Sequence, residues 1–185
     1  NGDLNEKSAG TAQLIQTLKN INYSLLDSHI HWRDLTHESE DMELKGVDVK
    51  IESFLSNRNI DIKVKLPVKY GDAMQITAEL EGDILYPDKL KGEVYIKGSS
   101  LILDKWLSNV KGYGDIHISG LSDASLWVYF SDNKIKRISG ELANTDIGIS
   151  NPKHSNVIWD VEKIDFLFLY RKLSNGWRVD IDQLN

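Results

Sequence analysis

Ile60, Ile62, Val64 and Leu66 alternate with Asp61, Lys63 and Lys65, a period of two that gives a strand one dry face and one wet face. Met74 to Leu80 repeats the pattern, as do Met42 with Leu44, Val47 with Val49 and Ile51, Val94 with Ile96, Ile116 with Ile118, and Val179 with Ile181. The periodicity predicts a mainly β chain of nine or ten strands. They form one long curved antiparallel sheet, either an open groove or a partly closed barrel or sandwich, with one or two short helices.

Residues 1 to 10 are polar and are expected to fray as a disordered terminus, leaving 11 to 185 as a single domain. Thr11 suits the cap of a helix carrying Leu14, Ile15 and Leu18 on one face. The first strand is expected from about Tyr23 to Asp34, with an irregularity after Leu26 and with Ile30 and Trp32 on one face. In Met42 to Phe54 the apolar positions pass from even to odd numbers at Gly46, as a bulge causes. Ser56 to Asn59 reads as a turn, Leu103, Trp106 and Leu107 as a short helix capped near Asp104, and Asp115 to Ser119 and Ser125 to Phe130 as separate strands. Hairpins are expected from Ser125–Phe130 to Lys134–Leu142 through Ser131-Asp132-Asn133, and from Lys163–Arg171 to Trp177–Ile181 through Ser174-Asn175-Gly176.

Charge and composition narrow the classes of function. The net charge is −6, without the clustered Lys and Arg that phosphate contacts along a nucleic acid need. There is no cysteine, which excludes disulfides, Cys-ligated zinc and a thiol nucleophile. No apolar run approaches the eighteen or so residues of a membrane helix, and Asn1-Gly2-Asp3-Leu4 does not open a signal peptide. Without an initiator Met the chain is expected to be an excised or processed segment of a longer protein.

Candidates for catalysis are few, and the chain is read as non-enzymatic. His29 and His31 stand about 7 Å apart on one strand face, where His37 or Asp27 would complete a metal site. Their alternation with Ile30 and Trp32 favours a solvated face instead, with no bound metal and no cofactor. Glu38, Glu40 and Asp41, and likewise Asp180 and Asp182, lie in polar runs with no apolar shell to shift a pKa. No Gly-x-Ser-x-Gly elbow surrounds Ser99, Ser100, Ser122 or Ser125. Gly112-Tyr113-Gly114 opens a strand rather than a phosphate-binding helix.

The aromatic residues carry more weight. Five tryptophans are many for this length. Ile164, Phe166, Phe168 and Tyr170 line one face of a strand whose other face holds Leu167 and Leu169. Two short helices cannot cover the dry face of nine strands, so the sheet either folds on itself or leaves apolar surface for a ligand.

Three successive segments, Leu26 to Asp34, Met42 to Val49, and Gly71 to Gly82, followed by Gly92-Glu93-Val94-Tyr95-Ile96, Leu101 to Leu107, Gly114-Asp115-Ile116 and Leu126-Trp127-Val128, are similar in order to the N-terminal periplasmic part of the YhdP branch of the AsmA-like family. The resemblance covers about residues 12 to 183. It implies a bridge-like phospholipid transporter of the cell envelope, anchored in the inner membrane by an N-terminal helix that this chain lacks. It also implies a long β-groove carrying phospholipid between inner and outer membranes. Its partners would be acyl-chain ligands and the remainder of the same polypeptide, with no nucleic acid. The groove lining is then expected at Ile30 and Trp32, at Ile62 and Val64, and at Ile76 and Leu80. Further along it continues with Val94 and Ile96, Val128, Phe166 and Phe168. The runner-up is a closed β-sandwich acting as a scaffold or protein-interaction module without ligand.

Overall fold

The computed structural model describes residues 22–32, 42–54, 56–83, 86–107, 116–151 and 156–184. Nine strands follow one another as β1 (Tyr23–Trp32), β2 (Met42–Phe54), β3 (Asn57–Lys65), β4 (Ala73–Glu81), β5 (Lys91–Ile102), β6 (His117–Ser131), β7 (Lys134–Asn151), β8 (Asn156–Leu173) and β9 (Gly176–Leu184). Each pairs antiparallel with the next, giving one open nine-stranded meander in sequence order. Among the described residues a single short helix, α1 (Leu103–Leu107), and a 3-10 turn at Pro87–Lys89 interrupt it. The mainly β reading therefore stands, and the sheet is not closed. The helix expected from Thr11 lies outside the described residues, as do His37, Glu38, Glu40 and Asp41.

Local chemistry explains where strands bend and where they turn. Gly46 adopts φ 61° at a register shift between Lys45 and Asp48, so the bulge expected from the change of phase is present. It keeps Leu44 and Val47 on the same side despite their odd spacing. Asp27, at φ 46°, marks the irregularity in β1, its N–H donating to Asp48 Oδ1 at 2.9 Å. The β6–β7 hairpin turns on Asp132 and Asn133, at φ 56° and 53°. Both are residues that tolerate the left-handed region that such two-residue turns require. In the β8–β9 turn only Gly176 has a positive φ, so the Asn-Gly pair contributes one such residue rather than two.

Three sequence expectations are corrected. The polar run Ser56 to Asn59 is not an extended turn: β3 already begins at Asn57, paired with Phe54, and Arg58 is buried in the ladder between Ser53 and Leu80. The segments around Ile118 and Leu126 belong to one strand, because Gly120 at φ 128° bulges without breaking the pairing to β7. Strands β7 and β8 are 18 residues each, longer than expected. Asp146, φ 53°, lies on β7 within the same register shift, where Ser119 and Leu121 face Gly148 and Thr145, and the pairing of β7 with β8 continues through it.

Helix α1 packs against β5 and β6. It is pinned by Trp106, whose Nε1–H donates to the Tyr70 carbonyl at 2.7 Å while the two rings meet edge to face at 6.1 Å. The loop between β3 and β4 closes on the same end of β5, where the Asp72 N–H donates to Ser99 O at 3.0 Å. Gly71 has to be glycine there, since a Cβ would lie 2.8 Å from the Ser100 carbonyl oxygen. No second sheet or helical layer stacks on the strands among the described residues. Correspondingly, Val47, at 2% exposure, is the one large side chain fully buried among them.

Candidate functional site

Register places a series of apolar residues from all nine strands on one face, because directly paired residues share a side of the sheet. One ladder runs Leu25, Val49, Ile62, Ile76, Ile96, Leu126, Gly140, Phe168, Ile181. Beside it lies Tyr23, Ile51, Ile60, Ala78, Val94, Val128, Ile138, Tyr170, Val179. A third ladder joins Val64, Met74, Gly98, Ala124, Leu142 and Phe166, and a fourth joins Ser53, the buried Arg58, Leu80, Gly92, Phe130 and Ile135. At about 4.8 Å per strand the face is roughly 38 Å across, against about 15 Å for the acyl layer of one membrane leaflet.

The expected lining residues fall into this surface. Ile62, Ile76, Ile96 and Phe168 share the first ladder, Val94 and Val128 the second, Val64 and Phe166 the third, and Leu80 the fourth. Ile30 and Trp32 pair with Leu44 and Met42 beyond the bulges of β1 and β2. Ile30 is half-buried there.

Side chains on this face cover one another laterally. Large groups lie over glycines: a Cβ on Gly140 would come within 2.6 Å of both Leu126 and Phe168, and one on Gly98 within 2.6 Å of Leu101. Sequence reasoning singled out neither glycine, although each sits at an apolar-phase position of its strand. Phe166 and Phe168 rings stand 6.2 Å apart. Ile62, Ile76 and Ile96 are thereby half-buried, whereas at the β9 edge, with no neighbouring strand beyond among the described residues, Ile181 is 64% exposed.

The opposite face is polar but not uniformly so. Tyr95 and Trp127 stack with ring centroids 5.0 Å apart, next to Leu169 two strands away in the same ladder. A depression of about 550 Å³ on this side is lined by Lys97, Ser99, Asp123, Ser125, Glu141 and Asp165, among others. Two of its carboxylates are already engaged: Asp123 accepts the Ser100 N–H at 2.7 Å and Asp165 pairs with Lys163 at 2.7 Å. Among the described residues no three His, Asp or Glu side chains are grouped to hold a metal ion. His29 Nε2 instead meets Glu43 Oε1 at 2.8 Å on an exposed surface. The Glu43 carboxyl is held below its ordinary range, chiefly by the Lys45 ammonium and also by His29.

The four tryptophans whose side chains are described do not gather at one site. Trp106 is tied to the β3–β4 loop, Trp127 stacks on the polar face, and Trp159 and Trp177 are exposed. No described helix is long and apolar enough to cross a membrane. No protein-family model, curated protein or solved structure matches the chain. Functional reading therefore rests on the two faces of the sheet.

Proposed function

We propose that this chain is a non-enzymatic lipid-handling segment whose apolar sheet face shelters the acyl chains of phospholipids while their headgroups stay in water. The observation that carries the reading is the continuous apolar face of nine strands with no second layer over it among the described residues. Acyl methylenes on that face gain about 0.8 kcal/mol each when removed from water. The central rows of isoleucines, valines and phenylalanines let a chain slide along them, so transfer needs no bond-breaking step, while the buried polar residues of the same face, Arg58 at one end and Ser122 with Asn144 at the other, flank these rows. The order of motifs that resembles the AsmA-like family supports the biological setting. The segment would belong to an inner-membrane-anchored periplasmic protein that moves phospholipid between the inner and outer membranes.

A fluorescent phospholipid titrated into the chain tests this. The expected outcome is saturable binding that unlabelled phospholipid displaces and that Ile76→Glu abolishes in a chain that stays folded. Absence of binding to the folded wild-type chain would sink the proposal and leave the sheet as a scaffold or interaction module.

A further inference from the structure

Charge on the polar face changes sign along a single ladder. From β2 to β9 it reads Glu52, Asn59, Glu79, Glu93, Tyr129, Arg137, Arg171, Arg178. Three arginines side by side on adjacent strands repel one another. Asp180 answers two of them, accepting from Arg171 Nη2 at 2.9 Å and from Arg178 Nε at 2.6 Å, and Glu93 approaches Arg137 at 3.7 Å. Beyond this ladder lie the β6–β7 and β8–β9 turns, which share one end of the sheet because each strand reverses the last. Over residues 131–137 and 171–180 stand Lys134, Lys136, Arg137, Arg171, Lys172 and Arg178, against only Asp132 and Asp180. In a chain of net charge −6 this is a local excess of positive charge.

The same two turns expose apolar groups. Ile135 is 48% exposed, Leu173 50% and Trp177 66%. Ile135 and Trp177 lie on the apolar face, paired with Phe130 and Lys172, so that face runs out to a basic rim at this end. Basic residues alone suit any polyanion, and apolar tips alone suit a protein surface. The combination suits the interface of an anionic bilayer, where an indole sits at headgroup level, aliphatic side chains reach the acyl boundary and Lys and Arg meet phosphates.

We propose that the β6–β7 and β8–β9 hairpin end docks this chain on an anionic phospholipid bilayer, with Trp177, Leu173 and Ile135 entering the interface. The docking stands on the tips themselves and does not depend on lipid occupying the apolar face. Where both hold, it names the end at which acyl chains pass between bilayer and sheet.

Co-sedimentation of the full chain with phosphatidylcholine vesicles, with and without phosphatidylglycerol, tests the proposal. Binding is expected only to the anionic vesicles, weakening as salt rises. Quenching of tryptophan fluorescence by brominated lipid should largely vanish in Trp177→Phe. The triple variant Lys134→Gln, Lys136→Gln, Lys172→Gln leaves the Arg171–Asp180–Arg178 cluster intact and should retain the wild-type circular dichroism. It should bind on the order of tenfold to a hundredfold more weakly. No association with anionic vesicles, equal association with neutral ones, or an unaffected triple variant overturns the proposal. Mass spectrometry for retained lipid, run in parallel, reports on the apolar face separately.

Discussion

The β3–β5 block and the β7–β9 block carry the same ladders with different materials. In β3–β5 the pairing has no register shift, the apolar face is built from Ile62, Ile76, Ile96 and Val94, and the polar face carries Glu79 and Glu93. In β7–β9 the pairing is bulged, the apolar face is built from Phe166, Phe168 and Tyr170, and the polar face carries three arginines. Each strand of the first block has neighbours on both sides, whereas β9 has a free edge and exposed apolar residues. A regular aliphatic stretch makes a uniform surface along which an acyl chain meets no preferred stop. A bulged aromatic and basic stretch makes an end with its own chemistry.

The largest expected effect breaks the comparison in the middle. Ile76→Glu puts a carboxylate between Ile62 and Ile96, on a half-buried position. It should cost about 2 kcal/mol in urea unfolding, less than in a sealed core because water reaches an uncovered face. Ile181→Glu, on the exposed edge, should stay within about 0.5 kcal/mol. Equal costs at the two positions would remove the distinction between interior and edge.

Next in size is Gly140→Val, which drives a side chain into Leu126 and Phe168. Thermal unfolding should show a loss of about 1–3 kcal/mol from overpacking. Gly176, by contrast, has nothing within 4 Å of a Cβ and is constrained only by φ 149°. Its change to Ala should cost about 1 kcal/mol through backbone strain alone.

The acidic limb of the stability profile separates the blocks electrostatically. Asp180 is held below the ordinary aspartate range, by hydrogen bonds from Arg171 and then Arg178. Its folded-state value lies beneath the unfolded one, so its stabilising contribution is fully present above about pH 3.9 and is lost as pH falls through the folded value. Asp180→Asn should flatten that limb, read as urea midpoint against pH. The smallest effect is expected for His29→Gln with His31→Gln, under about 0.5 kcal/mol and without change in lipid binding. Stoichiometric zinc lost in that double variant, together with stability, would overturn the reading of this pair as surface histidines.

Legibility from sequence followed the same division. The strict alternation of Ile60 to Leu66 and Met74 to Leu80 specified two strands and their faces, since a slip of one residue would expose every apolar group. The Gly46 bulge was legible because the apolar phase changes across it. What escaped was set by neighbours distant in sequence. Arg58 looked like a turn residue but is buried in register between Ser53 and Leu80. The stretch between Ser119 and Ser125 was expected to separate two strands but is an irregularity at Gly120 held by pairing with β7. Of the candidate lining, residues such as Ile62, Ile76 and Ile96 were readable individually. Their assembly into one nine-strand row depends on register, which alternation alone does not state. The arginine ladder was invisible for the same reason, since Arg137, Arg171 and Arg178 meet only through two strand pairings.

The central claim is that the apolar face, uncovered among the described residues, holds phospholipid. Native mass spectrometry of the gently purified chain measures this most directly. The account predicts a population carrying one or more phospholipid masses, stripped by detergent and absent in Ile76→Glu. A folded wild-type chain that is consistently free of lipid, and that takes none up from added phospholipid, would contradict it.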